Sequence, residues 1–218
     1  MYKRELTFKR SVARIILYRK ADVVALQEAT YSQVMDLNKI LTNLQKGNNT
    51  KMEYAWIGYG QYFNPKTGQY NGEYLPIFYN TNTIKLVEHS AFWLSETPDE
   101  RGSKSWDAIA ARVCTFAKME HKITKKGFYV FNTHWDQGRE ARRNGAKLMR
   151  EMIKKYDDLP CMVMGDLNCS PNSESYEILV DNFLVNVLPK KDILTPTFTG
   201  FENLFARTVD YILSTTNV

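Results

Sequence analysis

The chain has 218 residues, 44% of them hydrophobic, and a formal net charge of +5. This length and apolar content favour one large globular domain over residues 1–218 rather than two small ones. The positive charge suits an acidic partner such as nucleic acid, a phosphate ester or an anionic membrane face, because it steers anions over a long range.

Short patterns exclude several classes of protein. The three cysteines form no CxxC pair, so neither a disulfide framework nor a structural zinc site is predicted. No apolar run approaches the roughly 18 residues of a membrane span, and "MYKRELTFKR" lacks the apolar stretch of a secretory signal. As written, the chain is therefore expected to be cytoplasmic. A secreted or periplasmic parent stays an alternative, and the sequence leaves the oligomeric state open.

The first 50 residues predict the order helix, strand, helix. "ELTFKRSVARIILYRKA" has Lys and Arg between apolar residues at helical spacing, which is typical of an amphipathic helix packed on a core. The apolar residues are Phe8, Val12, Ile15 and Ile16. "DVVALQE" predicts a short buried strand over Asp22–Leu26. The second helix has Val34, Leu37, Leu41 and Leu44 on one face.

From Tyr54 to His121 the pattern changes to strands, rich in aromatic and β-branched residues and separated by Asn, Gly and Pro. The predicted strands are "YAWIGYG", "YLPIFYN", "IKLVEHSAFWLS" and "RVCTFAKMEH". The strand "FYVFNTHWD" and a helix over "GREARRNGAKLMREMIKKY" follow. The strand "CMVMGDLN", a short helix over "SESYEILV" and a last strand "TVDYILS" complete the order.

Strand runs with helices inserted between some of them favour an α/β fold. We predict a four-layer α/β sandwich, in which two mostly antiparallel sheets pack face to face with helices outside. A doubly wound parallel sheet is the second choice, because regular alternation of strands and helices is absent.

Four apolar strands carry polar groups at one end. The groups are Glu28, His134 and Asp136, Asp166 and Asn168, and Asp210 at the entrance of the last strand. Any one group would more often be structural, since Asp and Asn are also common turn residues. Four together, at strand ends that can converge on one rim, favour a site. Asp166 and Asn168 are two residues apart and point to the same side if the strand stays extended.

The chemistry that fits these groups is hydrolysis of a phosphoester. Glu28 would hold a hard cation with open water positions, and Asp166 would orient or deprotonate the attacking water. His134 would bind a non-bridging phosphate oxygen and neutralise charge in the transition state. Asn168 can donate to phosphate and accept from water or metal through one amide.

Four segments resemble, in the same order, motifs of the endonuclease/exonuclease/phosphatase superfamily, which has a DNase I-like fold. They are "DVVALQE", "FYVFNTHWD", "MVMGDLNCSP" and "RTVDYILS", and they run from about Ala21 to Ser214. "GEYLPIFYN", "THWDQGREARRNGAKLM" and "FWLSETPDERGSKSWDAIAARVCTFAKM" are similar to a bacterial branch of unassigned substrate.

The resemblance implies an Mg²⁺-dependent phosphoester hydrolase of phosphodiesterase or nuclease type, with Mn²⁺ as the alternative metal. It implies that Glu28 is the metal ligand and that His134 contacts the phosphate. Asp166 and Asn168 would orient the water and contact phosphate or metal. Asp210 matches the acid that supports the final histidine of the family.

Two further positions follow from the bacterial branch. Arg112 lies where this branch has an arginine, and binding of the substrate phosphate and a surface ion pair are equal alternatives for it. Trp135 stands where the branch more often has leucine, which would change the rim and leave the chemistry intact.

Two motifs of the superfamily have no counterpart in this sequence. They are a first strand with an asparagine near the metal and a final Ser-Asp-His segment. We therefore expect a fold truncated at both ends and a chain that is weak or inactive although its parent is active, because a central charge-stabilising group is lost. We favour a fragment of a longer gene product over a degenerate relative or a half completed in trans.

The rival hypothesis is a non-catalytic nucleic-acid-binding module on the same scaffold. The observations that favour it are the net positive charge and the basic clusters at Lys122–Lys126 and Arg139–Arg143. It predicts salt-sensitive binding that does not need Mg²⁺. If the chain is instead a hydrolase, the substrate stays open between nucleic acid, phospholipid and a small phosphorylated metabolite such as a sugar phosphate.

Overall fold

The computed structural model describes residues 2–48, 52–156, 158–188, 195–200 and 206–215. The helices are α1 (Tyr2–Arg19), α2 (Tyr31–Asn48), α3 (Arg139–Lys154) and α4 (Glu174–Val180). The strands are β1 (Val23–Ala25), β2 (Tyr54–Ile57), β3 (Gly60–Asn64), β4 (Gln69–Tyr74), β5 (Ile77–Asn80), β6 (Ile84–Trp93), β7 (Val113–His121), β8 (Gly127–His134), β9 (Cys161–Asp166), β10 (Leu184–Asn186) and β11 (Asp210–Thr215).

Two sheets make up the core. The large sheet has the strand order β10-β11-β9-β8-β7-β6, and the small sheet has the order β1-β5-β2. Strands β8 and β9 are parallel, because the chain returns through α3, and the other neighbours are antiparallel. Strands β3 and β4 form a separate hairpin.

Three apolar clusters define four layers. Ile57 and Ile77 of the small sheet pack against Met119 and Val130 of the large sheet. The outer face of the large sheet packs against α3 and α4, and that of the small sheet packs against α1 and α2. The predicted four-layer sandwich of mostly antiparallel sheets is therefore confirmed, and burial of these apolar faces drives the stacking.

A buried amide fixes the two sheets relative to each other near the ends of their strands. Asn132 of β8 is fully buried, and its Nδ2 donates to the carbonyl oxygens of Leu26 and Pro76, at 2.9 Å each. Its Oδ1 accepts from Gln27 Nε2 at 2.7 Å. Because a buried amide is costly when its bonds are lost, this residue sets the position of the segment that leads to Glu28.

The structure corrects some of the sequence predictions. Ile15 is exposed, whereas the predicted residues Val12 and Ile16 pack on the core together with Ala13. Strand β1 is shorter than the predicted Asp22–Leu26. The side chains of Phe8 and Leu44 lie outside the described residues.

The hairpin of β3 and β4, and strand β10, escaped prediction as separate strands. Three of the six residues of β4 are exposed, and apolar and polar residues do not alternate along "QYNGEY". None of the described helices is long and apolar enough to cross a membrane.

Candidate active site

The predicted strand ends meet at one rim, where the two sheets approach each other. His134, the last residue of β8, pairs with Asp166, the last residue of β9, and Asp166 pairs with Asp210 at the start of β11. Glu28 arrives from the small sheet, with its Oε1 4.0 Å from Nε2 of His134. The structure thus brings together the carboxylates and the histidine that the sequence singled out.

The glycine of "VMGDLN" is required by a close backbone approach. A Cβ at Gly165 would overlap the carbonyl oxygen of Thr133 on the neighbouring strand. Any larger residue would force β8 and β9 apart, and His134 and Asp166 are the next residues along these strands. The abrupt change from apolar residues to glycine therefore keeps the two site residues adjacent.

Two site residues have left-handed backbone conformations. Glu28 has φ +57° and Asn168 has φ +47°. Such conformations cost about 1–3 kcal/mol for a residue with a side chain, least for Asn, and they cluster at functional sites. The extended geometry under which Asp166 and Asn168 would point to the same side does not persist to Asn168. A turn forms instead, in which the Asn168 N–H donates to Asp166 Oδ1 at 2.7 Å.

His134 is held as a neutral ring. Its side chain is 5% exposed, and burial together with the positive charge of Arg112 lowers its pKa to about 4, against a smaller opposing effect of Asp136. Arg112 Nη1 lies 3.1 Å from Nδ1. Because a guanidinium can only donate, Nδ1 is the acceptor and the ring proton is assigned to Nε2.

The Nε2–H group of His134 has a second donor beside it. Asn168 Nδ2 lies 3.1 Å from Nε2 and also donates to the carbonyl oxygen of Trp135 at 2.7 Å. Two N–H donors side by side repel each other unless an acceptor lies between them. An anionic oxygen that accepts from both would relieve this repulsion, which is the geometry of an oxyanion site.

Asp136 anchors the guanidinium that orients His134. Its carboxylate is 2% exposed and accepts from Arg112 Nε at 3.1 Å. It also accepts from the backbone N–H groups of Ile109, Ala110 and Gly138. Burial alone would raise the pKa of Asp136, but these four donors outweigh it and lower the pKa. Arg112 is therefore half of a buried ion pair, and not of the surface pair that was its alternative.

Glu73 is a site residue that the sequence analysis missed. It lies on β4, and its Oε2 is 3.5 Å from Arg112 Nη1 and 3.7 Å from His134 Nδ1. The signal was present in "GEYLPIFYN", where an acidic residue precedes a buried apolar run. The role of Asp136 as anchor was missed as well, although the residue was noted at the end of its strand.

The carboxylates at the rim repel one another. The pKa of Asp166 is raised to about 6, chiefly by burial and then by the negative charges of Asp210 and Glu28. Asp166 Oδ2 lies 3.8 Å from Nε2 of His134, close to where the carboxylate of Glu28 also arrives. A cation at this point would lower the repulsion.

The fit of the rim to a metal ion depends on the ion. In the described part of the chain, no three His, Cys, Asp or Glu side chains form a ready-made cage. Mg²⁺ does not need one, because it keeps several waters and binds through one or two carboxylates plus substrate phosphate. Glu28, whose side chain is 69% exposed, and the nearby Asp166 supply such a donor set.

Comparisons with known proteins agree with this geometry. A model of the Endonuclease/Exonuclease/phosphatase family matches residues 3–218. An endonuclease/exonuclease/phosphatase from Bacteroides vulgatus is 32% identical and has a TM-score of 0.83, and the match covers 95% of this chain and 78% of that one.

Two further proteins are similar. A mannosyl-6-phosphatase from Bacteroides thetaiotaomicron is 29% identical with a TM-score of 0.82, over 96% of this chain and 76% of that one. An uncharacterized protein of Acanthamoeba polyphaga mimivirus is 32% identical over 108 residues, or 46% of this chain. The matched part is 39% of the length of that viral protein.

Proposed function

Because this chain belongs to the Endonuclease/Exonuclease/phosphatase family, we propose that its strand-end rim hydrolyses phosphoester bonds with the help of a divalent cation. The observation that carries the proposal is the pair of adjacent N–H donors on His134 and Asn168, which faces two carboxylates at one rim. Donors beside carboxylates suit a reaction in which water attacks an anionic phosphorus centre.

Glu28 is the proposed metal ligand, with Asp166 as the second nearby carboxylate. The metal is Mg²⁺, with Mn²⁺ as the alternative, since both favour oxygen ligands. When bound, the ion would polarise a phosphoryl oxygen and offset its negative charge. The support from this chain is geometric, because Glu28 Oε1 and Asp166 Oδ2 both lie within 4.0 Å of Nε2 of His134.

The side chains take separate roles in the proposed reaction. Asp166, whose Oδ2 lies 3.8 Å from Nε2 of His134, orients the attacking water and accepts its proton. Nε2 of His134 and Nδ2 of Asn168 donate to a non-bridging oxygen, where negative charge builds in the transition state. Asp210 lies opposite Asp166 and raises its basicity through like charge.

Arg112 has a positioning role in this proposal. Its bond to Nδ1 keeps the proton of His134 on Nε2, where it faces the substrate. The earlier prediction that Arg112 itself contacts the phosphate stays a prediction. The side chain is 13% exposed, so only a small part of the guanidinium is open to a ligand.

The kind of ester is a finer question. The sequence predicted a phosphodiesterase or nuclease, and the net charge of +5 supports an anionic polymer. The similarity to a mannosyl-6-phosphatase supports a phosphate monoester instead. Comparing hydrolysis of p-nitrophenyl phosphate, a monoester, with that of bis-p-nitrophenyl phosphate, a diester, separates these two.

The non-catalytic nucleic-acid-binding module remains the second candidate, favoured by the basic clusters. Two features weaken it. Lys122–Lys126 lies at the start of β8, whereas the rim lies at the other end of the strand. Arg139 and Arg143 are engaged by Glu174, with Arg143 Nε 2.9 Å from its Oε1. Binding of single-stranded or duplex DNA that survives Asp166→Ala and EDTA, without any hydrolysis, would favour this candidate.

The test of the proposed function is hydrolysis of both p-nitrophenyl esters with Mg²⁺ or Mn²⁺. It uses this chain and a version extended to the termini of its gene, each with Asp166→Asn. We expect a loss of about 1,000-fold or more in the variant, which corresponds to roughly 4 kcal/mol of transition-state stabilisation. Asp99→Asn, in an exposed turn outside the rim, is the matched control. Equal rates for Asp166→Asn and the control would overturn the assignment.

A further inference from the structure

An open groove lies beside the rim and shares one residue with it. The groove has a volume of about 900 Å³ and runs between the β3–β4 hairpin and residues 30–32 at the start of α2. Glu73 lines the groove and also lies 3.7 Å from His134 Nδ1. From the other wall, Thr30 follows Glu28 by two residues, and Ala29 bridges Tyr74. A ligand with its phosphate at the rim would therefore extend directly into this groove.

One amide side chain in the groove is open to a ligand. Gln61 lines the groove, and its side chain makes no hydrogen bond within the described part of the chain. Solvent reaches the amide through the groove. A ligand that both donates to and accepts from this amide would take the place of solvent.

The backbone around Gln61 is irregular in a way that directs side chains. The pairing of β3 with β4 shifts by one residue between Gly60 and Tyr62, which leaves an extra residue on β4. Such bulges re-aim side chains next to active sites. Gly72, at φ +76°, lies against the Gln61 side chain, and a Cβ there would come within 2.8 Å of Gln61 Cγ. The bulge therefore aims Glu73 at the rim and leaves Gln61 facing the groove.

The other lining groups are polar but uncharged, or aromatic. Tyr31 is 52% exposed, and its ring lies 5.5 Å from that of Tyr74. Ser32 and Asn71 add hydroxyl and amide groups.

Among the described lining residues Glu73 is the one charged side chain, and it is negative. The guanidinium of Arg101 lies behind the lining, 5.9 Å from the ring of Tyr70. Because the charged lining residue is an acid, an uncharged sugar suits the groove better than a polyanion. A sugar presents hydroxyl groups to amides and apolar C–H faces to aromatic rings.

We propose that this groove binds the leaving group of a phosphate monoester, and that this group is an uncharged polyol such as a hexose. The inference rests on the proposed function, because it requires the phosphate to occupy the rim. Water adds its oxygen to phosphorus, the bond from phosphorus to the polyol oxygen breaks, and that oxygen takes up a proton. The products are inorganic phosphate and the free polyol.

The test measures how far the groove selects a hexose. We would determine kcat and KM for mannose 6-phosphate, glucose 6-phosphate and p-nitrophenyl phosphate with the wild type and Gln61→Ala. The ratio of kcat/KM for a hexose phosphate to that for p-nitrophenyl phosphate is expected to fall about tenfold, mainly through KM, because the lost hydrogen bonds go to sugar hydroxyls. Asn71→Ala, which truncates an exposed side chain, is expected to lower the same ratio about threefold.

Asn82→Ala is the matched control, since Asn82 is an exposed amide in the turn between β5 and β6, outside the groove. An unchanged ratio in both groove variants would overturn the proposal. It would also be overturned by a wild type that hydrolyses either p-nitrophenyl ester but shows no preference for a hexose phosphate.

If no ester is hydrolysed, the proposed function fails by itself, and the groove is tested by binding alone. Saturation-transfer NMR with methyl α-mannoside would then show contact in the wild type that is lost in Gln61→Ala. Its absence in the wild type would overturn the groove as a polyol site.

Discussion

The rim and the groove share Glu73, but they differ in how their polar groups are bonded. At the rim, Asp136 is 2% exposed and accepts from Arg112 and three backbone N–H groups. In the groove, the side-chain amide of Gln61 makes no hydrogen bond within the described part of the chain and is open to solvent. The side chains that would act on the phosphate are therefore held in place by bonds within the protein. The side chain that would recognise the leaving group keeps donors and an acceptor that a ligand would bind.

The largest effect is expected from replacing Asp136, which anchors Arg112 at the rim. Asp136→Ala would leave Arg112 buried without its partner, and breaking a buried ion pair in this way costs roughly 3–5 kcal/mol of unfolding free energy. Urea denaturation measures the loss. Asp181→Ala removes a partly exposed ion pair with Arg150 and is expected to cost about 1 kcal/mol. Similar losses in the two variants would mean that the rim is not rigidly held.

Neutralising the crowded carboxylate of the rim should stabilise the fold. Folding raises the pKa of Asp166 from 3.8 to about 6, so its contribution to stability is present below pH 3.8 and is lost as the pH rises through 6. At pH 7 without divalent cations, Asp166→Asn is therefore expected to raise the unfolding free energy by roughly 2–3 kcal/mol. The gain should vanish near pH 4. Denaturation curves at both pH values check this prediction. A gain in unfolding free energy that does not depend on pH would show that the raised pKa of Asp166 is not its cause.

Replacing the guanidinium while keeping its charge tests the orientation of His134. A lysine at position 112 cannot donate to Asp136 and to Nδ1 of His134 in one fork. For Arg112→Lys we expect kcat/KM on p-nitrophenyl phosphate to fall about 10- to 100-fold, which is roughly 1.4–2.7 kcal/mol. The ¹⁵N shifts of His134 should show mixed tautomers. Arg139→Lys, at an exposed arginine, is the control, and an unchanged His134 tautomer would remove the positioning role.

Glu73 belongs to both the rim and the groove, and its substitution should give the smallest effect. The change in KM should have opposite signs for p-nitrophenyl phosphate and for a hexose phosphate. Glu73→Gln removes a negative charge 3.7 Å from His134 Nδ1. We expect KM for p-nitrophenyl phosphate to fall about threefold, because repulsion of the phosphate decreases. KM for a hexose phosphate should rise by a similar factor, because a strong acceptor for hydroxyl groups is lost. A change of the same sign for both substrates would show that Glu73 serves only one region.

The rim was more predictable from the sequence than the groove. His134 and Asp166 end apolar strands, and strand ends on one sheet converge, so their proximity followed from the pattern. Asn168 was predicted as a site residue from its motif, but its position depends on a left-handed turn that the pattern does not show. The buried pairing of Arg112 with Asp136 joins residues 24 positions apart. No local pattern encodes such a contact.

The groove escaped prediction because its geometry depends on a strand irregularity. Strand β4 lacks alternation, and the shifted register between Gly60 and Tyr62 cannot be located from residue types alone. Only the tertiary structure shows that Gln61 is buried while Asn71, on the partner strand, is exposed. The fold class could be predicted from the sequence, because apolar residues repeat every 2 or 3.6 residues in most of the long elements.

The most direct test of the central claim is a titration of phosphoester hydrolysis with Mg²⁺, in the wild type and in Glu28→Gln. It would use whichever form of the chain, as given or extended, is active. The account predicts no hydrolysis in EDTA, a rate that rises and saturates with Mg²⁺ in the wild type, and a requirement for at least tenfold more Mg²⁺ in Glu28→Gln. Hydrolysis that persists in EDTA, or the same Mg²⁺ dependence in both proteins, would contradict a metal-assisted reaction at this rim.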